Sequence, residues 1–471
     1  MRSGEIKMSW IREGQSSFTP DYYLNIGKKT ISNLLDKGVA WKRLDSLSDK
    51  LYQGGIFKRN YNEAGNKSYP YVTATDMVKT QPLKTAKYLS KKFTPWIDEM
   101  TLKNHQILVS CAGTVGNTVL VNSSFAGCIG SQEIIRIETS KVPLGYLFAY
   151  LSSPIIYEYI QSMIYGAVVP RISAEELGSL PILLPSDKVQ EEIHTLTIQS
   201  SDLRAEANRI LSEVQSLLFK KANLPVLNNS DYESFGNQSS SRETSTFTRN
   251  INQISPLSIN AFNYSKRIEK LEVIVKKNNC LSLSNCLDDS QFFSSGSFKR
   301  LELNSPKSIK LINQSDIFNI RKKGKMLARM FVRGDKLVEY GEVILAGVGT
   351  LGEGETFCRA IFANEELEGQ LISGEFIRMK TKANVLSGYL YAWLSSDYGF
   401  RLIRKTHTGT KLCRPIQELL KNIPVPILDK ESMIEIDEQV KKAHTMLFDA
   451  LNFENQAIDL IEKEIESWQE S

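Results

Sequence analysis

ILVSCAGTVG, residues 107–116, returns later in the chain as VILAGVGTLG, residues 343–352. Each copy opens on an apolar run of strand length and closes on a glycine-punctuated turn. In the second copy Gly347, Gly349 and Gly352 have the spacing G-x-G-x-x-G, which can cradle a phosphate between a strand and a helix. That use needs a helix directly after the glycines and an acidic residue about 20 positions further on. Here NTVLVN follows Gly116 and reads as another strand, while EGETFCRAIF follows Gly352 without helical spacing. Cys111 also stands where the first copy would need its first glycine. The pair therefore reads as a strand-turn-strand corner in which glycine supplies positive φ. A nucleotide-binding enzyme using Gly347 to Gly352 is the lesser alternative.

Other matches keep the same order, with a period of about 240 residues. Ser131-x-Glu133 before IIRI matches Ser373-x-Glu375 before FIRM, and GYLFAYLSS (145–153) matches GYLYAWLSS (388–396). Gly166, Arg171, Leu177 and Pro181 line up with Gly409, Arg414, Leu420 and Pro424 at one constant offset. The chain is read as a tandem duplication.

After each copy the period changes. Ile193, Leu196, Ser200, Leu203, Ala207, Ile210, Val214 and Leu217 alternate steps of three and four, the seam of a coiled coil, in a helix starting near Asp187. Val440, Leu447, Leu451, Ile458, Ile461, Ile465 and Trp468 repeat the pattern near the C-terminus, interrupted by His444 and Glu454. Between the first helix and the second copy, LNNSDYESFGNQSSSRETSTFTRN (227–250) is polar and reads as a flexible linker. The expected order is globular domain 1–185, helix 186–222, linker 223–255, globular domain 256–428 and helix 429–471. The fold class is α/β (α+β).

A chain of 471 residues exceeds the size of a single core, and its 41% hydrophobic and 24% charged residues belong to an ordinary globular protein. Its six cysteines include no CxxC pair and lie apart from the four histidines, so neither a zinc site nor a disulfide framework is indicated. No apolar run approaches the ~20 residues of a membrane span, and the start MRSGEIKMSW lacks a signal-peptide core. The expectation is a cytoplasmic protein that does not enter a membrane. Walker, HExxH and G-x-S-x-G motifs, the Asn/Asp-Pro-Pro-Tyr of amino-methylating enzymes and a nuclease carboxylate set are all missing from the sequence.

The net charge of +5 is modest, but its distribution is uneven. RKKGKMLARMFVR (321–333) carries Arg321, Lys322, Lys323, Lys325, Arg329 and Arg333 without an acid. Such a run is either solvated surface or a phosphate-contacting loop. The first copy has a looser counterpart in Lys58, Arg59, Asn60, Lys67, Lys91 and Lys92, where amides could pair with base edges or simply make turns. Residues 429–471 hold twelve acids against four lysines, so this helix would be repelled by DNA and suits protein contacts.

Taken together, the two corners, the two GYL segments and the exits GAVVPRISAEELGSLPILLPSDKVQEEI and GTKLCRPIQELLKNIPVPILDKESMIEI resemble the specificity (S) subunits of type I restriction-modification systems. The resemblance spans nearly the whole chain. The second exit departs from the first at Arg414-Pro415, which replaces Arg171-Ile172, and at Met433, which replaces Gln190.

The resemblance implies two target recognition domains, each reading half of a split double-stranded DNA target, and two helices paired antiparallel as a spacer. It implies no catalytic site or cofactor in this chain. S-adenosylmethionine, ATP and Mg would belong to partner subunits, two methylation (M) subunits and the restriction (R) subunits. A methylation-only or other phage-defence complex is an alternative setting for the same reader, and a coiled-coil scaffold without DNA contact is a further one. The expected DNA-binding residues are Lys58, Arg59, Asn60, Lys67, Lys91, Lys92, Arg171, Arg321, Lys322, Lys323, Lys325, Arg329, Arg333, Lys411 and Arg414.

Overall fold

The computed structural model describes residues 23–166, 168–227 and 246–470. The chain divides into two compact units. Of the described residues, those from 23 to 60, 66 to 205 and 449 to 470 form the first, and those from 61 to 65, 206 to 227 and 246 to 448 form the second. Most of the predicted linker, 228–245, lies outside the described residues. Its first residues are packed: Leu224 and Leu227 are buried in the core of the second unit.

In the first unit, helix α1 (Ile26–Asp36) leads into strands β1 (Trp41–Arg43), β2 (Lys50–Gln53), β3 (Ser68–Val72), β4 (Lys87–Ser90), β5 (Ile107–Ser110), β6 (Thr118–Leu120), β7 (Ile129–Gly130) and β8 (Ile134–Glu138). Helices α2 (Leu144–Ser152) and α3 (Pro154–Ser162) follow, then β9 (Pro181–Leu183) and the long helix α4 (Asp187–Lys221). One antiparallel sheet has the order β2-β8-β5-β6. β5 is buried along its whole length, which is why it reads as an unbroken apolar run instead of an alternating one. A second sheet places β3 antiparallel to β4 and parallel to β7. β1 and β9 pair antiparallel, so the entrance and exit of the copy lie side by side.

The second unit repeats this plan after helix α5 (Lys266–Val275). Its strands are β10 (Cys280–Ser282), β11 (Ser308–Ile312), β12 (Lys325–Ala328), β13 (Val343–Ala346), β14 (Ala360–Phe362), β15 (Leu371–Ile372), β16 (Phe376–Met379), β17 (His407–Thr408), β18 (Arg414–Pro415) and β19 (Pro424–Pro426). Its helices are α6 (Ser387–Ser395), α7 (Asp397–Arg404) and α8 (Lys430–Glu470). β13 lies between β14 and β16 as β5 lies between β6 and β8, and β11 pairs with β12 and β15 in the same senses as β3 with β4 and β7. Even the register of the parallel pair is kept, Tyr71 opposite Ile129 and Leu311 opposite Leu371. The duplication read from the sequence is therefore a duplication of topology.

Both long helices pass through both units, and they run antiparallel in each. In the first, Ile193 on α4 shares a core with Ala457, Ile458, Ile461 and Ile465 on α8. In the second, Ala207, Ile210, Val214 and Leu218 share one with Met433, Ile436, Val440 and Ala443. The buried stripe on α4 is broader than a two-helix seam: Thr197, Ser201, Leu211 and Leu218 are buried, while the predicted seam residues Leu196, Leu203 and Leu217 are only half-buried. The reason is that α4 serves two neighbours, its partner helix and the globular copy. Thr197 Oγ1 donates to the carbonyl of Gly145 at 3.1 Å, and Gln215 Nε2 to that of Ala392 at 3.0 Å.

The two polar interruptions in α8 are both buried and engaged. Glu454 forms an ion pair with Arg204 of α4. The His444 ring meets Tyr391 edge-on and lies tilted against Phe362. Among the described residues no helix is long and apolar enough to cross a membrane.

Candidate nucleic-acid interface

The corner that follows β5 closes as the glycines require. β5 and β6 pair with Ile107 opposite Leu120 and Val109 opposite Thr118. Gly113 has φ +74° and Gly116 φ +90°, values that a side chain would strain. Ser110 ties the loop together, its Oγ donating to the Thr114 carbonyl at 2.5 Å and accepting from the Asn117 N–H at 2.9 Å.

In the second copy the corner joins β13 to β14, and a strand rather than a helix follows the glycines. Gly347 is needed for space: a Cβ there would lie 2.4 Å from the Glu375 carbonyl oxygen. The G-x-G-x-x-G spacing thus arises from close strand packing and a turn, and it presents no helix N-terminus to a phosphate.

Both corners are held by the same two neighbours. From the helix behind, Gln161 Nε2 of α3 donates to the Val115 carbonyl at 3.0 Å, and Arg404 Nη2 of α7 donates to the Gly352 carbonyl at 2.6 Å. In front, the chain leaving each copy bridges to the corner, Ala112 to Arg171 and Gly349 to Cys413.

That leaving chain is a short hairpin. Tyr165 and Arg171 exchange backbone hydrogen bonds of 2.9 Å, and β17 pairs with β18 through Thr408 opposite Arg414. Gly166 and Gly409, at the same place in each hairpin, both have φ +91°. Arg171, Lys411 and Arg414 are exposed here, so three of the expected DNA-binding residues sit on equivalent hairpins.

The remaining candidates gather around the second sheet of each copy. In the first unit, Lys67 precedes β3 and Lys91 and Lys92 follow β4. The Lys91 N–H donates to the Lys67 carbonyl at 3.0 Å. Lys91 lies 4.9 Å from the Tyr69 ring centroid and Lys92 5.3 Å from that of Phe93. Asn60 joins this edge through its carbonyl, which accepts from the Ser90 N–H at 2.9 Å. Lys58 is exposed. Arg59 is half-buried, paired with Glu133 at 3.2 Å and lying over the Tyr71 ring.

In the second unit the run 321–333 surrounds β12, the topological equivalent of β4. Arg321, Lys322 and Lys323 precede or adjoin that strand, Lys325 begins it, and Arg329 and Arg333 follow it. The run has no acid in sequence, but the fold supplies them. Lys322 is nearly buried in an ion pair with Glu366, Lys325 meets Glu302 at 2.5 Å, and Arg333 meets Asp335 at 3.0 Å. Arg329 donates to the Val332 carbonyl. Lys322 is thus a structural cation, while Lys323 is exposed.

Other cations gave no signal of their location. Arg136 and Arg378 occupy equivalent strands, β8 and β16, and both are buried. Arg378 makes a two-pronged pair with Glu342, both bonds 2.7 Å, whereas Arg136 donates to the carbonyls of Ile134 at 2.9 Å and Gly130 at 2.8 Å. Burial lowers the pKa of Arg136.

Behind the second corner, Arg359 and Arg404 lie over the Phe400 ring at 4.5 and 4.3 Å, and Arg401 is wholly buried beside Glu353 at 3.0 Å. Burial pushes the Glu353 carboxyl up and Arg359 down to about 10. Among residues that charge patterns overlooked is Trp96, half-exposed at φ +50° and packed against Gly55. Among the described residues no cluster of His, Cys, Asp and Glu suits a metal ion.

Compared with known proteins, residues 37–209 match the family model described as the type I restriction modification DNA specificity domain. The chain is similar to the crystal structure of a type I restriction-modification system S subunit from M. genitalium, at 17% identity over 92% of this chain and 94% of that one, with a TM-score of 0.29. It is also similar to that of the HsdS subunit from Thermoanaerobacter tengcongensis, at 12% identity over 90% and 96% of the chains, with a TM-score of 0.28. No curated protein matches the chain. The segment matched to that specificity-domain model holds most of the first globular copy, and the same chain carries a second globular copy with the same strand pairing.

Proposed function

We propose that this chain is the DNA-specificity subunit of a type I restriction-modification complex, with one half of a bipartite target read by each globular copy. The observation that carries this reading is the specificity-domain match over 37–209 together with the repeated sheets and corner in the second copy. The chain supplies recognition, and the reaction chemistry belongs to subunits docked on it. Two methylation subunits would hold S-adenosylmethionine, and restriction subunits would use ATP and Mg.

The spacer supports the same reading. Helix α4 has 35 residues, so at ~1.5 Å per residue it extends about 50 Å, more than the ~34 Å of one DNA turn. A helix of that length suits a target of two short half-sites with unread base pairs between them. Phosphate contacts fall to exposed cations at the exit hairpins and around the second sheets, with base contacts from neighbouring loops. Co-expression with a methylation subunit of such a system, followed by mapping of modified adenines, should give a split sequence with a fixed unread gap. One contiguous modified site would contradict the two-reader model.

A further inference from the structure

The exit hairpins present an unexplained surface. Their tips are aliphatic yet open to solvent: Val168 is 93% exposed and Val169 44% in the first copy, and Leu412 is 62% exposed in the second. Val169 and Leu412 hold equivalent positions, each three residues after the positive-φ glycine and two before the arginine, Arg171 or Arg414. YGAVVPR (165–171) and HTGTKLCRP (407–415) contain no acid. Of the carboxylates that follow them, Glu176 closes a capping box with Ser173 and Glu418 pairs with Lys421, while Glu175 is exposed.

The tips are also rigidly mounted. Gly113 N–H donates to the Pro170 carbonyl at 3.0 Å and Ile172 N–H to that of Cys111 at 3.1 Å. In the second copy, Gly349 and Cys413 exchange bonds of 3.2 and 2.7 Å. These aliphatic residues stand on braced ribbons and belong to neither core. Exposed cations beside them indicate a polyanionic partner.

We propose that each exit hairpin is a DNA-reading ribbon. Its aliphatic tip contacts a thymine methyl in the major groove, and Arg171 in one copy and Lys411 with Arg414 in the other contact the flanking phosphates. The chemistry fits the groove: a two-stranded ribbon can enter it, and the thymine C5-methyl is the apolar feature it displays. Two copies that share this tip while differing in tip sequence would read different half-sites with one device. The inference rests on the DNA-specificity reading above and adds the contacting residues and the base group they recognise.

The test uses the full chain. A preferred site is selected from a random duplex pool, and binding is compared for wild type, V168S/V169S, L412S and R171A/R414A. Loss of a methyl-sized contact weakens binding about fourfold. V168S/V169S and L412S should therefore each lose about fourfold to tenfold on the selected site and almost nothing on random duplex. R171A/R414A should weaken both DNAs and flatten the salt dependence.

Replacing thymine by uracil in one half-site should reproduce the loss in wild type and have no added effect in the corresponding tip variant. Tip variants that bind the selected site as wild type does would overturn the inference and leave the DNA-specificity reading intact. If the wild-type chain enriches no sequence from the pool, both fail together.

Discussion

At the scale of single residues, the fold separates cations that look alike in sequence. Lys322 and Lys323 are neighbours in an acid-free run, yet Lys322 is nearly buried against Glu366 and Lys323 faces solvent. Their substitutions should behave differently. Lys322→Ala leaves the Glu366 carboxylate without its partner and should cost roughly 1–3 kcal/mol of stability, read from urea unfolding. Lys323→Ala should leave unfolding within about 0.5 kcal/mol of wild type and lower the slope of log affinity against log salt by about one. Equal effects of the two changes on both readouts would dissolve the distinction. The run was legible as basic because charge is written in the sequence. Its partition was not, because Glu302 and Glu366 stand 23 and 44 residues from the lysines they meet. The same blindness covers Arg136 and Arg378, whose strand neighbours give no hint that one guanidinium is buried on backbone carbonyls and the other on Glu342.

At the scale of elements, corners, strands and long helices were legible because their causes are local: unbroken apolar runs, glycine turns and a three-four repeat. What periodicity could not supply is the second neighbour of each long helix. His444 and Glu454 look like flaws in a heptad, but one ring packs on the aromatic residues of its globular copy and the other side chain pairs across the seam. The Arg204–Glu454 pair is nearly buried, so removing one partner strands a charge. Glu454→Leu alone should destabilise the chain by about 3–5 kcal/mol, whereas Arg204→Met with Glu454→Leu should be neutral or more stable. Thermal unfolding of the single and double variants decides it. An additive double loss would mean that packing, rather than charge pairing, sets the energetics there.

At the scale of the whole molecule, the repeated topology together with the proposed two-reader function makes each copy exchangeable. Exchanging residues 256–428 for the corresponding copy of a relative with another target should change one half of the methylated sequence and keep the other half. A change in both halves would show that the copies do not read independently. The repeat was visible early because matched motifs at a constant offset survive even where identity is low, while the target itself is not encoded in any local pattern.

The way each copy sits on its helix gives this interchangeability a physical basis. Gly145, near the start of α2, donates its N–H to His194 Nδ1 at 3.0 Å, and Gly388, near the start of α6, does the same to an Asp437 carboxylate oxygen at 2.7 Å. A Cβ on either glycine would come within 2.9 Å of the long helix, so the contact tolerates no side chain. The two acceptors differ chemically, yet both ask only for a bare peptide N–H. The joint is therefore indifferent to the side chains on the far surface of the copy. The fitting that carries each copy has a specification with no letters in it, a peptide N–H and room for no side chain.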